Sequence, residues 1–353
     1  MSRNLEVERE KIRDDGEFTL RYDSMDRLVT VEGIPSGEFE PTELRFPIRV
    51  VTEITSLCNM RCRYCSQYNN ESGPKLKLED VHDIIEQVNT GKAFELALRG
   101  AEATLHPDFN EIWDHAAAQD FTSATLITNG LKLDEQKALN LLQNIRSKLI
   151  VSLDGPDEVN SHFRDPRQYK KVMKWLIPVL HARGDQIVIL STVYKDNLPY
   201  LPEFCDYLSQ LGLRHHHFSL LKRIGNIPFI EQEFATAEQI KHFVQTLNGI
   251  SERNPNYLPI INSPVEREQN SSQGILTQVP IPKFTEYYCG AGIKIMADGK
   301  IGISQIIYFD EAFRLGKVGE SLQNLWDRSH EIRRQHSQLA RERYQYLLGF
   351  ESH

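Results

Sequence analysis

The 353-residue chain has no run of 18 apolar residues, so nothing in it predicts a membrane span. It also lacks a basic excess. Its 41 lysines and arginines against 49 aspartates and glutamates give a formal net charge of −8, which argues against a nucleic-acid partner because phosphate contacts need clustered cations. The polar start MSRNLEVEREK does not resemble a secretion signal. These absences predict a globular protein with neither a membrane nor a nucleic-acid partner, and three clustered thiols that must stay reduced predict a cytoplasmic location.

Cysteine is scarce, with five residues, but three of them stand together in CNMRCRYC, residues 58–65. The other two, Cys205 and Cys289, lie far away. Thiolates at this C-x3-C-x2-C spacing can ligate three irons of a four-iron cluster and leave the fourth iron open for a small chelating molecule. The spacing alone leaves two alternatives open: a zinc site completed by the distant His82 or His106, or three unrelated thiols.

Short apolar runs alternate with helical patterns from about residue 49 to about residue 225. The predicted strands cover residues 50–55, 94–98, 124–128, 149–153, 187–193 and 216–221, and the predicted helices cover residues 81–88, 109–119, 134–146, 169–183 and 201–211. Alternating strands and helices predict an α/β fold with parallel strands and right-handed crossovers. Six units are too few to close an eight-fold barrel, so we expect an open one.

Polar motifs follow four of the predicted strands. The cysteine loop follows the first, RGAEA (residues 99–103) the second, TNG (128–130) the third and VSLDG (151–155) the fourth. Because barrels of parallel strands carry their chemistry at the carboxyl ends of the strands, we expect all four motifs on one rim.

In this order the motifs resemble the signature segments of the radical S-adenosylmethionine (radical SAM) superfamily. RGAEA is similar to the Gly-Gly-Glu-Pro segment of that superfamily, with alanine at two positions, and TLHPDF (104–109) also resembles family members. The resemblance implies a partial (β/α)6 barrel over residues 49–230. It also implies one [4Fe–4S] cluster on Cys58, Cys62 and Cys65, whose open iron binds S-adenosylmethionine. Reductive cleavage of that cofactor gives a 5′-deoxyadenosyl radical that abstracts hydrogen from the substrate.

The resemblance also implies which residues contact S-adenosylmethionine. Glu102 is expected to accept hydrogen bonds from the methionine ammonium, and Arg164, in HFR (162–164), to pair with the methionine carboxylate. Arg164 could equally join a surface ion pair, and Asn129 could only stabilise its turn. The other expected contacts are Tyr64 near the adenine, Gly100 and Ala101 beside Glu102, Asn129 as a polar contact, and Ser152 and Asp154 at the ribose hydroxyls.

The flanking segments predict two smaller parts. Residues 1–48 contain a β-hairpin, formed by residues 18–22 and 28–31, that either covers one end of the barrel or offers an edge to a peptide substrate. Residues 231–353 predict a connecting helix and loop and then a small α+β extension, which resembles a degenerate twitch or SPASM extension of radical SAM maturases. Cys289 stands at one cysteine position of such extensions and Ser304 at another. Two cysteines outside the loop are too few for a conventional auxiliary cluster, so we expect a single cluster.

Three histidines and the two remaining cysteines are further candidates. In a strand, His215 and His217 share one face and His216 lies on the other. We expect His215 and His217 to line the substrate or handle a proton rather than bind a metal, with simple packing as the alternative. Cys205 falls in a helical pattern and is expected in the core. Cys289 is a core residue, a remnant ligand or a hydrogen-atom donor to a substrate radical.

The maturase-like tail favours maturation of a ribosomally synthesised peptide, by epimerisation, crosslinking, or backbone cleavage and rejoining. Residues 1–48 are too short for a full leader-binding domain, so a separate leader-recognition protein is expected, along with a flavodoxin- or ferredoxin-type electron donor. The alternatives are a radical enzyme acting on a small molecule, such as a dehydrogenase or dehydratase, and a non-catalytic metal-binding scaffold. A long groove would favour a peptide, and a closed pocket of roughly a few hundred cubic ångströms would favour a small molecule.

Overall fold

The computed structural model describes residues 10–16, 18–23, 28–32, 43–65, 72–221, 231–262, 291–303 and 311–335. The strands in these ranges are β1 (Glu10–Asp14), β2 (Thr19–Asp23), β3 (Leu28–Glu32), β4 (Arg49–Glu53), β5 (Glu95–Arg99), β6 (Ser123–Thr128), β7 (Lys148–Ser152), β8 (Ile187–Val193), β9 (His215–Leu220), β10 (Leu258–Asn262), β11 (Gly292–Ile295), β12 (Lys300–Gly302) and β13 (Arg314–Lys317). The α-helices are α1 (Leu78–Thr90), α2 (Phe109–Ala117), α3 (Glu135–Leu141), α4 (Asp157–Phe163), α5 (Gln168–Arg183), α6 (Leu201–Gln210), α7 (Ala237–Arg253) and α8 (Leu322–Asp327).

A ten-stranded sheet forms the centre of the molecule, in the order β10-β9-β8-β7-β6-β5-β4-β11-β12-β13. The strands from β4 to β10 pair in parallel, β11 runs parallel to β4, and β12 and β13 are antiparallel additions. Strands β4 to β9 correspond to the six predicted strands. The α/β architecture with an open barrel of parallel strands is therefore confirmed.

The crossover helices are held to the sheet by apolar stripes. In α1 the buried residues are Val81, Ile84, Ile85 and Val88, which recur at the spacing of one helix face. They join the same apolar core as Leu96 of β5, and each such buried side chain contributes roughly 1.5–3 kcal/mol. No helix in the described ranges is long and apolar enough to cross a membrane.

The N-terminal segment forms a three-stranded antiparallel sheet, β1-β2-β3, rather than the expected two-stranded hairpin. The additional strand, β1, buries two cations. Lys11 Nζ donates to Ser123 Oγ at 2.7 Å, and the Arg13 guanidinium pairs with Asp15 at 2.6 Å and donates to the Pro47 carbonyl at 3.1 Å. Pro47 and Ser123 lie at the amino ends of β4 and β6. The small sheet therefore packs against that end of the barrel, as the first of its two expected roles requires.

The described strands of the predicted C-terminal α+β extension continue the central sheet. β10 pairs with β9 at one edge and β11 pairs with β4 at the other. Lys294 of β11 places its ammonium 2.7 Å from the carboxylate of Glu53, and both side chains are buried. Cys289 and Ser304 lie outside the described residues, so the expectations about them stay predictions.

Candidate active site

The cysteine loop leaves β4 at the carboxyl end of the barrel and runs beside the segment after β5. The Ala101 amide donates to the Thr55 carbonyl at 2.9 Å, and the Glu102 amide donates to the Leu57 carbonyl at 2.7 Å. A Cβ on Gly100 would lie 2.4 Å from the Thr55 oxygen, so this close approach requires glycine. Ala101 has no positive φ angle, and alanine is accommodated there without backbone strain.

A cavity of about 400 Å³ extends from this loop into the barrel. It reaches Phe94, which precedes β5, while the cysteines follow β4, so it spans the barrel from the carboxyl to the amino ends of the strands. Most of the predicted site residues line it, and these are Cys58, Cys62, Tyr64, Cys65, Gly100, Ala101, Glu102, Asn129, Ser152, Arg164 and His217. Asp154 and His215 are not part of its lining.

The three loop cysteines are half-buried thiols. Burial raises the pKa of Cys58 to about 11 and that of Cys62 to about 12. A desolvated thiol ionises only beside a compensating cation, so without one these thiols stay protonated.

Neither histidine considered for a zinc site lines the cavity. In His106, Nε2 lies 2.9 Å from the Leu76 carbonyl and Nδ1 accepts from the Asp108 amide at 3.1 Å. The ring of His82 stacks near that of His115, with centroids 4.4 Å apart. The zinc alternative therefore has no support from these two side chains.

Glu102 is a buried carboxylate held by several donors. Its Oε1 accepts from the Thr104 hydroxyl at 2.6 Å and the Thr128 hydroxyl at 2.7 Å, and its Oε2 accepts from the Asn129 amide at 2.7 Å. Burial raises the pKa of Glu102 above its ordinary value, while these hydrogen bonds oppose that shift. The result is a fixed, desolvated carboxyl group facing the cavity.

Asn129 stabilises its turn and also contacts the cysteine loop, while its expected contact with S-adenosylmethionine stays a prediction. Its Oδ1 accepts from the Leu131 amide at 2.9 Å and stabilises the turn, and Gly130 takes a φ of +78° there. Its Nδ2 donates to Asn59 Oδ1 at 2.7 Å inside the cysteine loop. The fully buried Gln168 donates to the carbonyls of Asn129 at 2.7 Å and of Ser152 at 2.8 Å, and so joins the two rim turns.

Asp154, Arg164 and Tyr64 form one buried cluster. Asp154 Oδ2 accepts from Arg164 Nε at 2.6 Å and from the Tyr64 hydroxyl at 2.7 Å. The second Asp154 oxygen accepts from Arg164 Nη2 at 3.1 Å and from the Thr192 amide at 2.8 Å. Burial lowers the pKa of Arg164, but the Asp154 carboxylate more than offsets this and holds it above its ordinary value. Arg164 is therefore a charged residue of the cavity wall and not part of a surface ion pair.

The three histidines of β9 divide as the alternation predicts. His217 lines the cavity, whereas His215 is fully buried outside its lining. His216 packs on the opposite side, 2.8 Å from Ser191 Oγ and 2.7 Å from the Tyr257 hydroxyl, and burial lowers its pKa to about 3. Cys205 is buried beside it, as expected for a core residue.

Sequence analysis missed a charged wall inside the cavity. Arg49 and Glu95, paired at 3.1 Å, line it together with Arg99. Thr192 and Ser219 line it as well. None of these residues was among the predicted site residues, although Arg99 belongs to the RGAEA motif. Strand alternation is the signal that could have indicated their inward direction.

Comparison with known proteins matches part of the chain to one superfamily and to named relatives. The Radical SAM superfamily profile matches residues 52–208. The antilisterial bacteriocin subtilosin biosynthesis protein AlbA of Bacillus subtilis is 24% identical over 78% of this chain and 58% of its own length. The mycofactocin maturase MftC of Mycobacterium tuberculosis is 27% identical over 47% of this chain and 43% of its own. The chain thus spans only about half the length of these curated relatives.

Two solved structures share the fold. Streptococcus suis SuiB bound to S-adenosylmethionine has a TM-score of 0.66 at 14% identity, over 80% of this chain and 66% of that one. The structure of anSMEcpe with bound AdoMet has a TM-score of 0.61 at 17% identity, over 82% and 84%. Residues 52–208 match the Radical SAM superfamily, and the parallel barrel with the three-cysteine loop after its first strand agrees with that match.

Proposed function

We propose that this chain is a radical SAM enzyme that modifies a ribosomally synthesised peptide. The observation that carries the proposal is one cavity that runs through a parallel barrel and is lined, near the carboxyl ends of the strands, by three clustered thiols, the Glu102 carboxylate and the Arg164 guanidinium. The superfamily match implies a [4Fe–4S] cluster and S-adenosylmethionine as cofactors.

The residues in the cavity fit both cofactors. Cys58, Cys62 and Cys65 are the cysteines that line it within the described residues, and three thiolates suit a cluster with one open iron. S-adenosylmethionine carries an ammonium and a carboxylate. Glu102 offers an anion for the first, and Arg164 offers a cation for the second. The donor set therefore contains a complementary group for each charged end of the cofactor.

When bound, the cluster and S-adenosylmethionine supply reductive cleavage of a sulfonium bond and, through it, removal of a hydrogen atom from the substrate. The chain's own residues provide orientation and shielding. Glu102 and Arg164 hold the methionine end, with Ser152 and Asn129 as further polar contacts. Apolar side chains of the lining keep water away from the reacting atoms, and these are Ile127, Ile150, Leu190 and Ile260.

A peptide is proposed as the substrate because of what the relatives are named for. AlbA is named for biosynthesis of the bacteriocin subtilosin, MftC is a maturase, and one SuiB structure is bound to its precursor peptide SuiA. Cofactor and substrate must share about 400 Å³, so we expect one side chain of the peptide to enter the cavity. His217, Thr192 and Ser219 are the residues we assign to contact it.

The remaining assignments extend this proposal. Residues 49–230 form the barrel unit, 1–48 its N-terminal cover, and 231–353 a degenerate twitch or SPASM-like extension whose described strands lengthen the sheet. Cys289 is retained as a candidate hydrogen-atom donor, and His215 as a candidate proton-handling residue. A separate leader-recognition protein and a flavodoxin- or ferredoxin-type electron donor complete the proposed system.

A small-molecule substrate is the second candidate function. It is favoured by the size of the cavity, since a small ligand beside S-adenosylmethionine would need no more of the 400 Å³ than a peptide side chain does.

The test is a mass-spectrometric assay in D₂O with reconstituted protein, S-adenosylmethionine, dithionite and short peptides encoded beside the gene. We expect one peptide to lose hydrogen, to be cleaved or to gain deuterium, and we expect no change with a Cys58→Ala control. Deuterium reveals an epimerisation that leaves mass in ordinary water unchanged. Cofactor cleavage without any peptide change would contradict the peptide proposal in favour of the small-molecule candidate.

A further inference from the structure

Asp154 stands behind the cavity wall and not in it. It is fully buried and absent from the cavity lining, whereas the side chains it holds, Tyr64 and Arg164, both line the cavity, as does Thr192. By resemblance to its family, Asp154 was expected to contact the ribose of S-adenosylmethionine. The hydrogen bonds around Asp154 indicate a different role.

Four donors saturate the Asp154 carboxylate. Oδ2 accepts from Arg164 Nε and the Tyr64 hydroxyl, and Oδ1 accepts from Arg164 Nη2 and the Thr192 amide, at 2.6–3.1 Å. An ionised carboxylate has about four lone-pair sites, so no acceptor site is left for a ribose hydroxyl.

The backbone of Asp154 is fixed as firmly as its side chain. Its amide donates to Asn160 Oδ1 at 2.9 Å, and its carbonyl accepts from Asn197 Nδ2 at 2.9 Å. Both asparagines are fully buried. The carboxylate therefore occupies a position that the fold sets before any ligand arrives.

The contact with Tyr64 reaches the metal loop directly, because Tyr64 lies between Cys62 and Cys65. The Arg164 guanidinium also lies over the Tyr64 ring, 5.3 Å from its centroid. One carboxylate thus ties the cysteine loop to the ends of β7 and β8 and aims the arginine into the cavity.

We propose that Asp154 is a positioning residue that orients Tyr64 and Arg164 and so fixes the shape of the cysteine loop. The part of the proposal that concerns cofactor binding through Arg164 rests on the proposed function. The part that concerns the shape of the cysteine loop holds for this chain whatever it binds. The two parts are tested by separate measurements.

The first measurement is amide hydrogen exchange on the full chain before reconstitution. The Arg63 amide donates to the Phe163 carbonyl at 2.8 Å, and the Cys65 amide donates to the Cys62 carbonyl at 3.0 Å. With Asp154→Asn, an amide group faces the guanidinium and the phenol, so we expect both amides to exchange at least about tenfold faster. Tyr64→Phe should act in the same direction. Asp157→Asn, which breaks a surface pair with Lys170, should change neither. Unchanged exchange in both Asp154→Asn and Tyr64→Phe would overturn the proposal.

The second measurement compares equilibrium binding, to the reconstituted protein, of S-adenosylmethionine and of its analogue lacking both ribose hydroxyls. A positioning role predicts that Asp154→Asn weakens both ligands by the same factor, about tenfold, because Arg164 is misaligned for both. If the variant weakens only S-adenosylmethionine, Asp154 contacts the ribose and the proposal is wrong. Absence of binding by the unaltered protein would contradict the proposed function and leave the exchange result standing.

Discussion

At the residue scale, the two buried carboxylates of the site, Glu102 and Asp154, differ in how many hydrogen bonds they can still accept. Asp154 accepts four hydrogen bonds on two oxygens and is saturated. Glu102 accepts on Oε1 from Thr104 and Thr128, but its Oε2 takes only the Asn129 amide among the described residues. Because Glu102 lines the cavity and Asp154 does not, the free lone pair of Glu102 faces the ligand space. Glu102 is thus suited to bind a ligand cation, and Asp154 to position its neighbours.

Replacing Glu102 with glutamine tests this division. The amide keeps the size of the side chain but loses the charge-assisted bond to the methionine ammonium, which is worth roughly 1.5–3 kcal/mol. We expect the Kd for S-adenosylmethionine to rise about 10- to 100-fold in calorimetric titrations of the reconstituted protein, with its iron content unchanged. Glu111→Gln, on the exposed side of α2, is the matched control. Binding equal to that of the control would contradict the role of Glu102.

At the element scale, β9 carries different chemistry on its two faces. His217 faces the cavity, while His216 packs against the helices. Ser191 uses its one hydroxyl proton on the Leu153 carbonyl, so Nε2 of His216 must donate to Ser191 Oγ and Nδ1 must accept from the Tyr257 hydroxyl. His216 is therefore a neutral structural histidine.

This assignment predicts a pH dependence of stability. Burial lowers the pKa of His216 from 6.5 to about 3, so below pH 6.5 the unfolded chain binds a proton that the folded chain excludes. The stability contributed by neutral His216 is complete above pH 6.5 and is lost progressively as the pH falls. In urea titrations, we expect the unfolding free energy of the unaltered protein to fall between pH 7 and pH 5. The fall should be about 2 kcal/mol larger than that of His216→Gln over the same range. The exposed His181→Gln is the control, and equal slopes for His216→Gln and the unaltered protein would refute the assignment.

The N-terminal sheet is attached by polar groups as well as by its apolar face. Arg13 pairs with Asp15 and donates to the carbonyls of Phe46, Pro47 and Lys92, all at 2.6–3.2 Å. These contacts tie β1 to the chain that enters β4 and β5. Their loss would leave a carboxylate and three carbonyls buried without this donor.

Arg13→Met should therefore destabilise the protein by roughly 3–5 kcal/mol, as expected when one partner of a buried ion pair is removed. Arg21→Met removes a cation that pairs with Glu10 at the surface, at 3.3 Å, and should cost less than about 1 kcal/mol. Urea unfolding of the two variants measures the difference. Similar stabilities for both would show that the sheet is held by its apolar face alone.

At the scale of the whole molecule, the six central strands and the hairpin strands β2 and β3 were predictable, whereas β1 and β11 were not. β4 to β9 are apolar runs with helices between them. β1 reads EKIRD, and β11 reads GIKI with Lys294 at a buried position. Their lysine and arginine side chains reach distant carbonyls or Glu53, which no local pattern reveals. A strand whose buried charged side chains pair with residues distant in sequence lacks the apolar pattern by which strands are predicted.

The site residues likewise fall into predictable and unpredictable ones. Motifs at strand ends located Glu102 and Asn129, because parallel strands present one rim, whereas Arg164 was located by family resemblance. Gln168 and Asn160, which hold that rim from behind, lie in helices where nothing in the local sequence distinguishes a buried amide from an exposed one. The role of Asp154 depends on whether its side chain lies in the cavity or behind the cavity wall, and only the three-dimensional fold determines that.

The most direct test of the account is anaerobic reconstitution followed by iron and sulfide counts and a dithionite assay for 5′-deoxyadenosine. We expect about four irons per chain and formation of 5′-deoxyadenosine. Joint replacement of Cys58, Cys62 and Cys65 by alanine should abolish both, whereas joint replacement of Cys205 and Cys289 should leave the iron count unchanged. Zinc in place of iron, or cofactor cleavage that survives loss of the three loop cysteines, would contradict the central claim.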